Sequence, residues 1–341
     1  MIAVSQIIER NIYRHETGGC ALWINPEADD CWRAVKTRCT ELELFSQDFA
    51  CYTFLKQTGA DIEFSAFPRA DKKKYEWVII NLPRQKALLT MMLDCAASLL
   101  ASDGVLWLAG ENKAGIKSAD KRLKAHFQHV RKLDNARHCS LFEASVRLNQ
   151  DVFNPHDYRL QWELDCAGSS IDVASYPGVF AHGRLDYGTA LLLDVLASMN
   201  LEGDVLDFAC GAGVVGACIA ARHANTRVTL LDSSALALRA SKETLETNRL
   251  NGSVLASDGL SELDRKFDIV VSNPPIHAGV RTDNRLGVQL LESVQEHIRP
   301  GGKLILVANV HLPYENWLSK RFKGYSELAA NDKYKVITAI K

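Results

Sequence analysis

A chain of 341 residues, 47% hydrophobic and 24% charged, is long enough for two domains with buried cores, and its balance indicates neither disorder nor a repeat array. Its 40 basic and 41 acidic residues give a net charge of −1, and division after Asp165 leaves 22 against 22 and then 18 against 19, so bulk charge carries no nucleic-acid signature. Nine scattered cysteines without a C-x-x-C pair predict reduced thiols in a cytoplasmic protein, and the lack of a signal-like apolar block, or of about 18 consecutive apolar residues, predicts neither export nor membrane insertion.

From Ala21 onward, short apolar runs alternate with helical patterns. Leu22-Trp23-Ile24, Leu42-Glu43-Leu44-Phe45 and Glu76-Trp77-Val78-Ile79-Ile80 read as strands of a parallel sheet. Asn81-Leu82-Pro83 then precedes a helix over 85–100, Asp103-Gly104 and a strand over 105–109. Nearly the same order returns in the second half, where Asn273-Pro274-Pro275 precedes a helix over 284–298, Pro300-Gly301-Gly302 and a strand over 302–309. The chain therefore reads as two copies of one α/β fold. The first copy has Leu22-Trp23-Ile24-Asn25-Pro26 where a glycine turn belongs, so it is expected to bind no cofactor, and its Asn81 reads as an incidental strand end.

Period-two runs at 158–164 and 170–173 flank Ala167-Gly168-Ser169 and predict a β-hairpin between the copies. The resulting division is 1–150, a degenerate copy; 151–175, a connecting hairpin; and 176–341, a complete copy. Its strands are expected at 204–209, 227–232, 252–256, 267–272 and 302–309, with an antiparallel pair at about 324–340 on one edge.

The second copy carries the chemistry. Asp204 to Phe208 reads as a buried strand running into Gly211-Ala212-Gly213-Val214-Val215-Gly216, a G-x-G-x-x-G turn whose glycines let a ligand approach the main chain. Asp232 ends the next apolar run. By pattern alone this also suits a dinucleotide. Asp207 at the strand end and Asn273-Pro274-Pro275 after a later strand favour S-adenosylmethionine instead.

These residues, with Ser257-Asp258 and Ile276-His277, resemble the successive motifs of class I S-adenosylmethionine-dependent methyltransferases. The tandem organisation is similar to that of the bacterial 16S ribosomal RNA guanine-N2 methyltransferases known as methyltransferase C. The resemblance implies two tandem Rossmann-like domains, the first degenerate. It implies that Gly211 and Gly213 pass beneath the methionine part of S-adenosyl-L-methionine, that Asp232 accepts from the ribose hydroxyls and Asp258 from the adenine amine, and that Asp207 faces the methionine ammonium. Asp186 and Thr189 join the cofactor set from the family's upstream motif. Each acid also has a plain structural reading: Asp232 could cap the helix near Ser234, and Asp258 could be a turn residue beside Gly259.

Asn273, Pro274, Pro275 and Ile276 are the expected catalytic residues. An exocyclic amine is a poor nucleophile because its lone pair is conjugated into the ring. Acceptance of its N–H groups by the Asn273 side-chain oxygen and the Pro274 carbonyl localises that pair toward the methyl group and stabilises positive charge developing on nitrogen. Ile276 departs from the family's usual aromatic residue, and Phe180, Tyr187 and Tyr314 are candidates to replace its stacking. His277 is a candidate RNA contact or a structural residue.

Residues 113–137 hold Lys113, Lys117, Lys121, Arg122, Lys124, Arg131, Lys132 and Arg137 against Asp120 and Asp134, with Arg69 and Lys72 to Lys74 nearby in the same copy. Such a run is either a solvated face or a phosphate grip. The expected function is methylation of the exocyclic N2 of a guanine in 16S rRNA, by a cytoplasmic monomer whose partner is 16S rRNA or the small ribosomal subunit, with no metal and no membrane. Competing readings are an NAD-dependent oxidoreductase, an N-methyltransferase acting on adenine N6 or a protein glutamine, and a non-catalytic RNA-binding assembly factor.

Overall fold

A computed structural model describes residues 1–15, 18–69, 74–149, 152–166, 168–274, 293–312 and 314–341. The chain forms two compact units, Met1–Tyr158 and Arg159–Lys341. Among the described residues, no helix is long and apolar enough to cross a membrane.

In the first unit the strands are β1 (Cys20–Ile24), β2 (Glu41–Ser46), β3 (Ile62–Phe64), β4 (Tyr75–Asn81), β5 (Leu100–Glu111), β6 (Phe127–Ala136) and β7 (Cys139–Arg147), and the helices are α1 (Ala3–Glu9), α2 (Cys31–Lys36), α3 (Phe49–Gln57), α4 (Lys86–Leu99) and α5 (Ala119–Leu123). They form one seven-stranded sheet in the order β3-β2-β1-β4-β5-β7-β6, parallel except where β7 runs antiparallel to β5 and β6. The central strands are apolar on both faces because helices cover both. On one face Leu22, Ile24, Val78 and Ile80 pack with Leu89, Met92 and Leu93 of the helix Lys86–Leu99. On the other, Trp23, Trp77, Ile79 and Trp107 pack with Ile7 and Ile8 of the helix Ala3–Glu9.

The second unit starts with the hairpin β8 (Leu160–Asp165) and β9 (Ser170–Ser175), followed by α6 (Tyr187–Ala197), β10 (Gly203–Phe208), α7 (Val214–Arg222), β11 (Thr226–Asp232), α8 (Ala235–Thr247), β12 (Ser253–Ala256), β13 (Phe267–Ser272), β14 (Ile298–Asn309), β15 (Gly324–Ala330) and β16 (Tyr334–Ile340). Its sheet order, β12-β11-β10-β13-β14-β16-β15, repeats that of the first unit. The hairpin is secured within this unit. Ala174 N–H donates to Thr244 Oγ1 at 3.0 Å, Asp172 N–H to Asn248 Oδ1 at 2.8 Å, and Tyr176 Oη to Glu243 at 2.9 Å, all on α8 or at its end.

Two expectations change. The helix expected over 284–298 lies mostly outside the described residues, and its last part is instead a 3₁₀ turn, Val294–His297, with Ile298 already in β14. The thiols are not all reduced: Cys166 after β8 is joined to Cys218 on α7, with Cα atoms 5.8 Å apart and a separation of 52 positions in sequence. The other seven form no disulfide, and burial pushes the thiols of Cys31, Cys51 and Cys95 up to about 12, so they are poor nucleophiles.

Candidate functional site

At the carboxyl ends of β10, β11, β13 and β14 the second unit opens a cavity of about 280 Å³. In an open α/β sheet this is where the central strands diverge and a ligand can reach main-chain N–H groups at a helix start. Its walls include Gly178 to Phe180, Asp186, Gly211, Asp232, Asn273, Pro274, Val307 to Asn309 and Tyr334.

The glycine turn forms the floor. Ala209 and Gly211 take φ of 58° and 56°, and Gly213 takes 76° as it starts α7. A Cβ on Gly211 would have Phe180 Cβ at 3.9 Å as its nearest neighbour, so that face is left open to a ligand. A Cβ on Gly213 would meet Ser241 Cβ at 2.8 Å, and one on Gly216 would meet Leu230 Cγ at 2.7 Å. Gly213 and Gly216 therefore let α7 close on its neighbours, and Gly211 makes the cradle.

Asp232 joins the turn to the next strand. Its Oδ2 accepts from Gly211 N–H at 3.0 Å and its Oδ1 from Ser234 N–H at 2.9 Å. The helix cap is Ser234, whose hydroxyl accepts from Ala237 N–H. Asp232 thus has a structural role while it lines the cavity.

Asp207 sits lower. It is 2% exposed and outside the cavity lining, and its Oδ2 accepts from Gly216 N–H at 2.8 Å. Burial pushes its carboxyl up to about 7; the Gly216 hydrogen bond opposes this and the Asp232 charge adds to it. Asp258 stands on the turn after β12, adjacent to Ser257, whose N–H donates to the Asp232 carbonyl at 3.2 Å. It too lies outside the cavity lining.

Asn273 follows β13. Its Nδ2 donates to Asp186 Oδ2 at 3.0 Å and Thr189 Oγ1 at 2.9 Å, which turns Oδ1 away from both partners. Asp186 is the N-cap of α6, accepting from Gly188 and Thr189 N–H. Pro274 lines the cavity, whereas Pro275, Ile276 and His277 lie outside the described residues.

Of the three aromatic candidates, Phe180 lines the cavity. Tyr187 is 77% exposed and is not among the lining residues. Tyr314 is 6% exposed in the core with Leu304, Leu306 and Leu318, and this buried position removes it from the site. Tyr334, at the start of β16, lines the cavity and was missed. The available signal was topological: the first residue of a strand antiparallel to β14 lies at the same end of the sheet as the last residues of the parallel strands, and Tyr334 pairs with Asn309.

The first unit shows what replaces such a site. With Asn81 and Asn273, each the residue before the Leu82-Pro83 or Pro274-Pro275 pair at its strand end, taken as equivalent, the register puts Trp23, paired with Leu44 and Ile79, in the place of Asp207, paired with Leu230 and Val271, and Ser46 in that of Asp232. Trp23 Nε1 donates to Asn81 Oδ1 at 2.9 Å, and Asn81 Nδ2 donates to Glu27 at 3.3 Å. Both ends of that amide are bound within the fold.

The basic stretch spreads over short helical turns and β6. Lys113 pairs with Glu111 at 3.2 Å, Lys124 with Asp120 at 2.8 Å and Arg131 with Glu143 at 2.6 Å. Arg122 donates to Thr90, and Lys132 lies over the Phe142 ring. Lys117 and Lys121 are exposed. Arg69 pairs with Glu63 and Lys74 donates to the Ser98 carbonyl, while Lys72 and Lys73 lie outside the described residues. Among the described residues, no group of histidine, cysteine and acidic side chains could hold a metal ion.

The methyltransferase small domain model matches residues 170–338, and the methyltransferase small domain N-terminal model matches residues 5–162. The ribosomal RNA small subunit methyltransferase C of Shewanella amazonensis is 35% identical over 334 residues, covering 97% of each chain. That of Pseudomonas aeruginosa strain LESB58 is 40% identical over 290 residues, covering 83% of this chain and 86% of that one. Among solved structures, the T. thermophilus 16S rRNA N2 G1207 methyltransferase in complex with AdoMet and guanosine superposes with a TM-score of 0.87 at 23% identity, covering 100% of this chain and 92% of that chain, which shows a shared fold.

Proposed function

The chain belongs to the ribosomal RNA small subunit methyltransferase C family, and on that premise we propose that its second unit methylates the exocyclic N2 of a guanine in 16S rRNA. The observation that carries the reading is the Asn273 carboxamide. Its nitrogen is engaged by Asp186 and Thr189 at the wall of the cavity, which leaves the oxygen to accept from an incoming amine.

S-adenosylmethionine, when bound, supplies an electrophilic methyl on a sulfonium sulfur. The residues present fit it: an open cradle at Gly211, and in the cavity wall the Asp232 carboxylate, a group whose chemistry suits ribose hydroxyls. Gly213 belongs with them through the turn it sets, and Asp207 and Asp258 through their places beneath and beside that turn. Asn273 Oδ1 and the Pro274 carbonyl hold the target amine and stabilise the positive charge it develops, and the methylated amine is acidic enough to lose its proton to water. Positioning supplies much of the rate. Phe180 and Tyr334 offer aromatic surface to the base in place of the usual aromatic at Ile276.

The first unit, with its amide and cofactor positions filled by its own side chains, serves as structural support and grips RNA phosphates through exposed lysines such as Lys117 and Lys121. The site is built within one unit of one chain, which fits a monomer, and an rRNA substrate fits a cytoplasmic place of work. A flipped or unstacked guanine is required, and exposed RNA of the small ribosomal subunit makes that less costly.

The test is incorporation of labelled methyl from S-adenosylmethionine into unmodified small ribosomal subunits, protein-free 16S rRNA and duplex DNA, followed by nucleoside analysis. N2-methylguanosine from a ribosomal substrate is expected. N6-methyladenine, or label in protein only, would overturn the assigned target.

A further inference from the structure

An asparagine amide is an acceptor at one end and a donor at the other, and only one of its two orientations serves an incoming N–H group. Here the orientation is imposed by residues far away in sequence: Asp186 and Asn273 are 87 positions apart. A carboxylate only accepts, so a flipped amide would set oxygen against oxygen at Asp186. Thr189 alone could tolerate either orientation, because a hydroxyl both donates and accepts. Its oxygen lies 3.5 Å from the same Asp186 Oδ2, which places it as the acceptor for Asn273.

Asp186 cannot turn away easily. The oxygen that receives Asn273 also accepts the Gly188 and Thr189 N–H groups at 2.9 and 3.0 Å. Gly188 allows the close approach, since a Cβ there would lie 3.0 Å from Val307 Cγ1 and 3.1 Å from Asp186 Oδ2. Thr189 is 7% exposed. The start of α6 is thus a rigid bracket for the end of β13.

We propose that Asp186 and Thr189 are positioning residues, which hold the Asn273 carboxamide with its oxygen presented to the target amine. The inference rests on the reading of Asn273 given above and deepens it, assigning to the substrate amine two residues whose sequence motif points to the cofactor.

The experiment compares Asp186→Ala, Thr189→Val, Thr189→Ser and Asn273→Ala in the full chain, reading kcat and KM on 16S rRNA substrate and, separately, S-adenosylmethionine affinity by calorimetry. Alanine at 186 removes the acceptor for Asn273 together with the cap of α6, valine at 189 keeps the shape of threonine, and thermal unfolding checks that each variant folds. Asp186→Ala and Thr189→Val are expected to lower kcat by about 10- to 100-fold, the order of loss that a misplaced catalytic group brings, with cofactor affinity changed less than about threefold. Thr189→Ser recovers most of what valine loses. In the Asn273→Ala background neither change lowers the residual rate further, because coupled groups are not additive. A tenfold loss of cofactor affinity with unchanged kcat, or full additivity with Asn273→Ala, would overturn the proposal. An inactive Asn273→Ala beside normal Asp186→Ala and Thr189→Val sinks this proposal alone, whereas an Asn273→Ala of unchanged turnover removes the reading beneath it as well.

Discussion

Replacing Asp207 by asparagine separates the cost of burying an acid from the service it renders to the glycine turn. The carboxyl is pushed from the usual 3.8 to about 7, chiefly by burial. The folded chain therefore keeps this proton up to about pH 7, whereas the unfolded chain releases it near 3.8. Between those values the folded state binds more protons, so this group's contribution is fully present below 3.8 and is lost as pH rises through 7. Asparagine is neutral at every pH, has nearly the same shape, and its oxygen can still accept from Gly216 N–H. At about pH 8 the variant should be more stable than the parent by on the order of 2 to 4 kcal/mol, with the gap narrowing toward zero near pH 4. Urea denaturation at a series of pH values measures it directly. A variant that is equally or less stable at that alkaline pH would refute the argument, because the ionised carboxylate would then be favourably held. The same variant tests function: if ionised Asp207 attracts the methionine ammonium, S-adenosylmethionine affinity of the parent rises as pH passes about 7, and that rise is missing in Asp207→Asn.

Other perturbations follow from the same geometry. Asp232→Ala leaves the Gly211 and Ser234 N–H groups without their acceptor, so it should cost about 1 to 3 kcal/mol of stability and weaken S-adenosylmethionine binding together; normal calorimetric affinity would return Asp232 to a purely structural role. Charge reversal at Lys117 and Lys121 should weaken RNA binding and make its salt dependence shallower by roughly one counterion per lost phosphate contact, and an unchanged salt slope would make the stretch a solvated face. Joining Cys166 to Cys218 closes a loop spanning 52 positions, for which loop-closure entropy predicts about 4 kcal/mol, so Cys218→Ser should lower the unfolding midpoint in oxidising buffer and match the parent once reductant is added. Equal midpoints without reductant would show that the bond contributes nothing.

What could be read from sequence was local. The strands at 253–256 and 267–272, the helix Lys86–Leu99 and the hairpin 160–175 are signalled by apolar runs, period two and turn residues within a few positions of one another. The glycine turn was legible for the same reason. What could not be read depends on chain segments that meet only after folding. Tyr334 reaches the cavity because β16 is antiparallel to β14, Asp186 reaches Asn273 because α6 begins beside the end of β13, and Cys166 reaches Cys218 because the hairpin is tied to α8 within the second unit. Tyr314 misled because an aromatic near a strand end suits a site and a core equally well, and no short pattern distinguishes them.

The degenerate first copy gives the strongest argument about why the second copy is built as it is. The two sheets share strand order and register, and Asn25 and Ala209, each two residues past the compared strand positions, both take positive φ, 50° and 58°. The backbone course that opens a cofactor cleft has therefore been kept where there is no glycine turn to use it. What differs is chemistry at single positions. Trp23 fills with an indole the place where Asp207 sits beneath a helix, and its Nε1 takes the Asn81 oxygen that a substrate amine would need. On the role proposed for Asn273, an asparagine at the end of the fourth strand is not enough for transfer: its acceptor must be left free and its donor must be engaged elsewhere. In the second copy Asp186 and Thr189 engage the donor end and, among the described residues, leave the acceptor free, and in the first Trp23 and Glu27 occupy both ends.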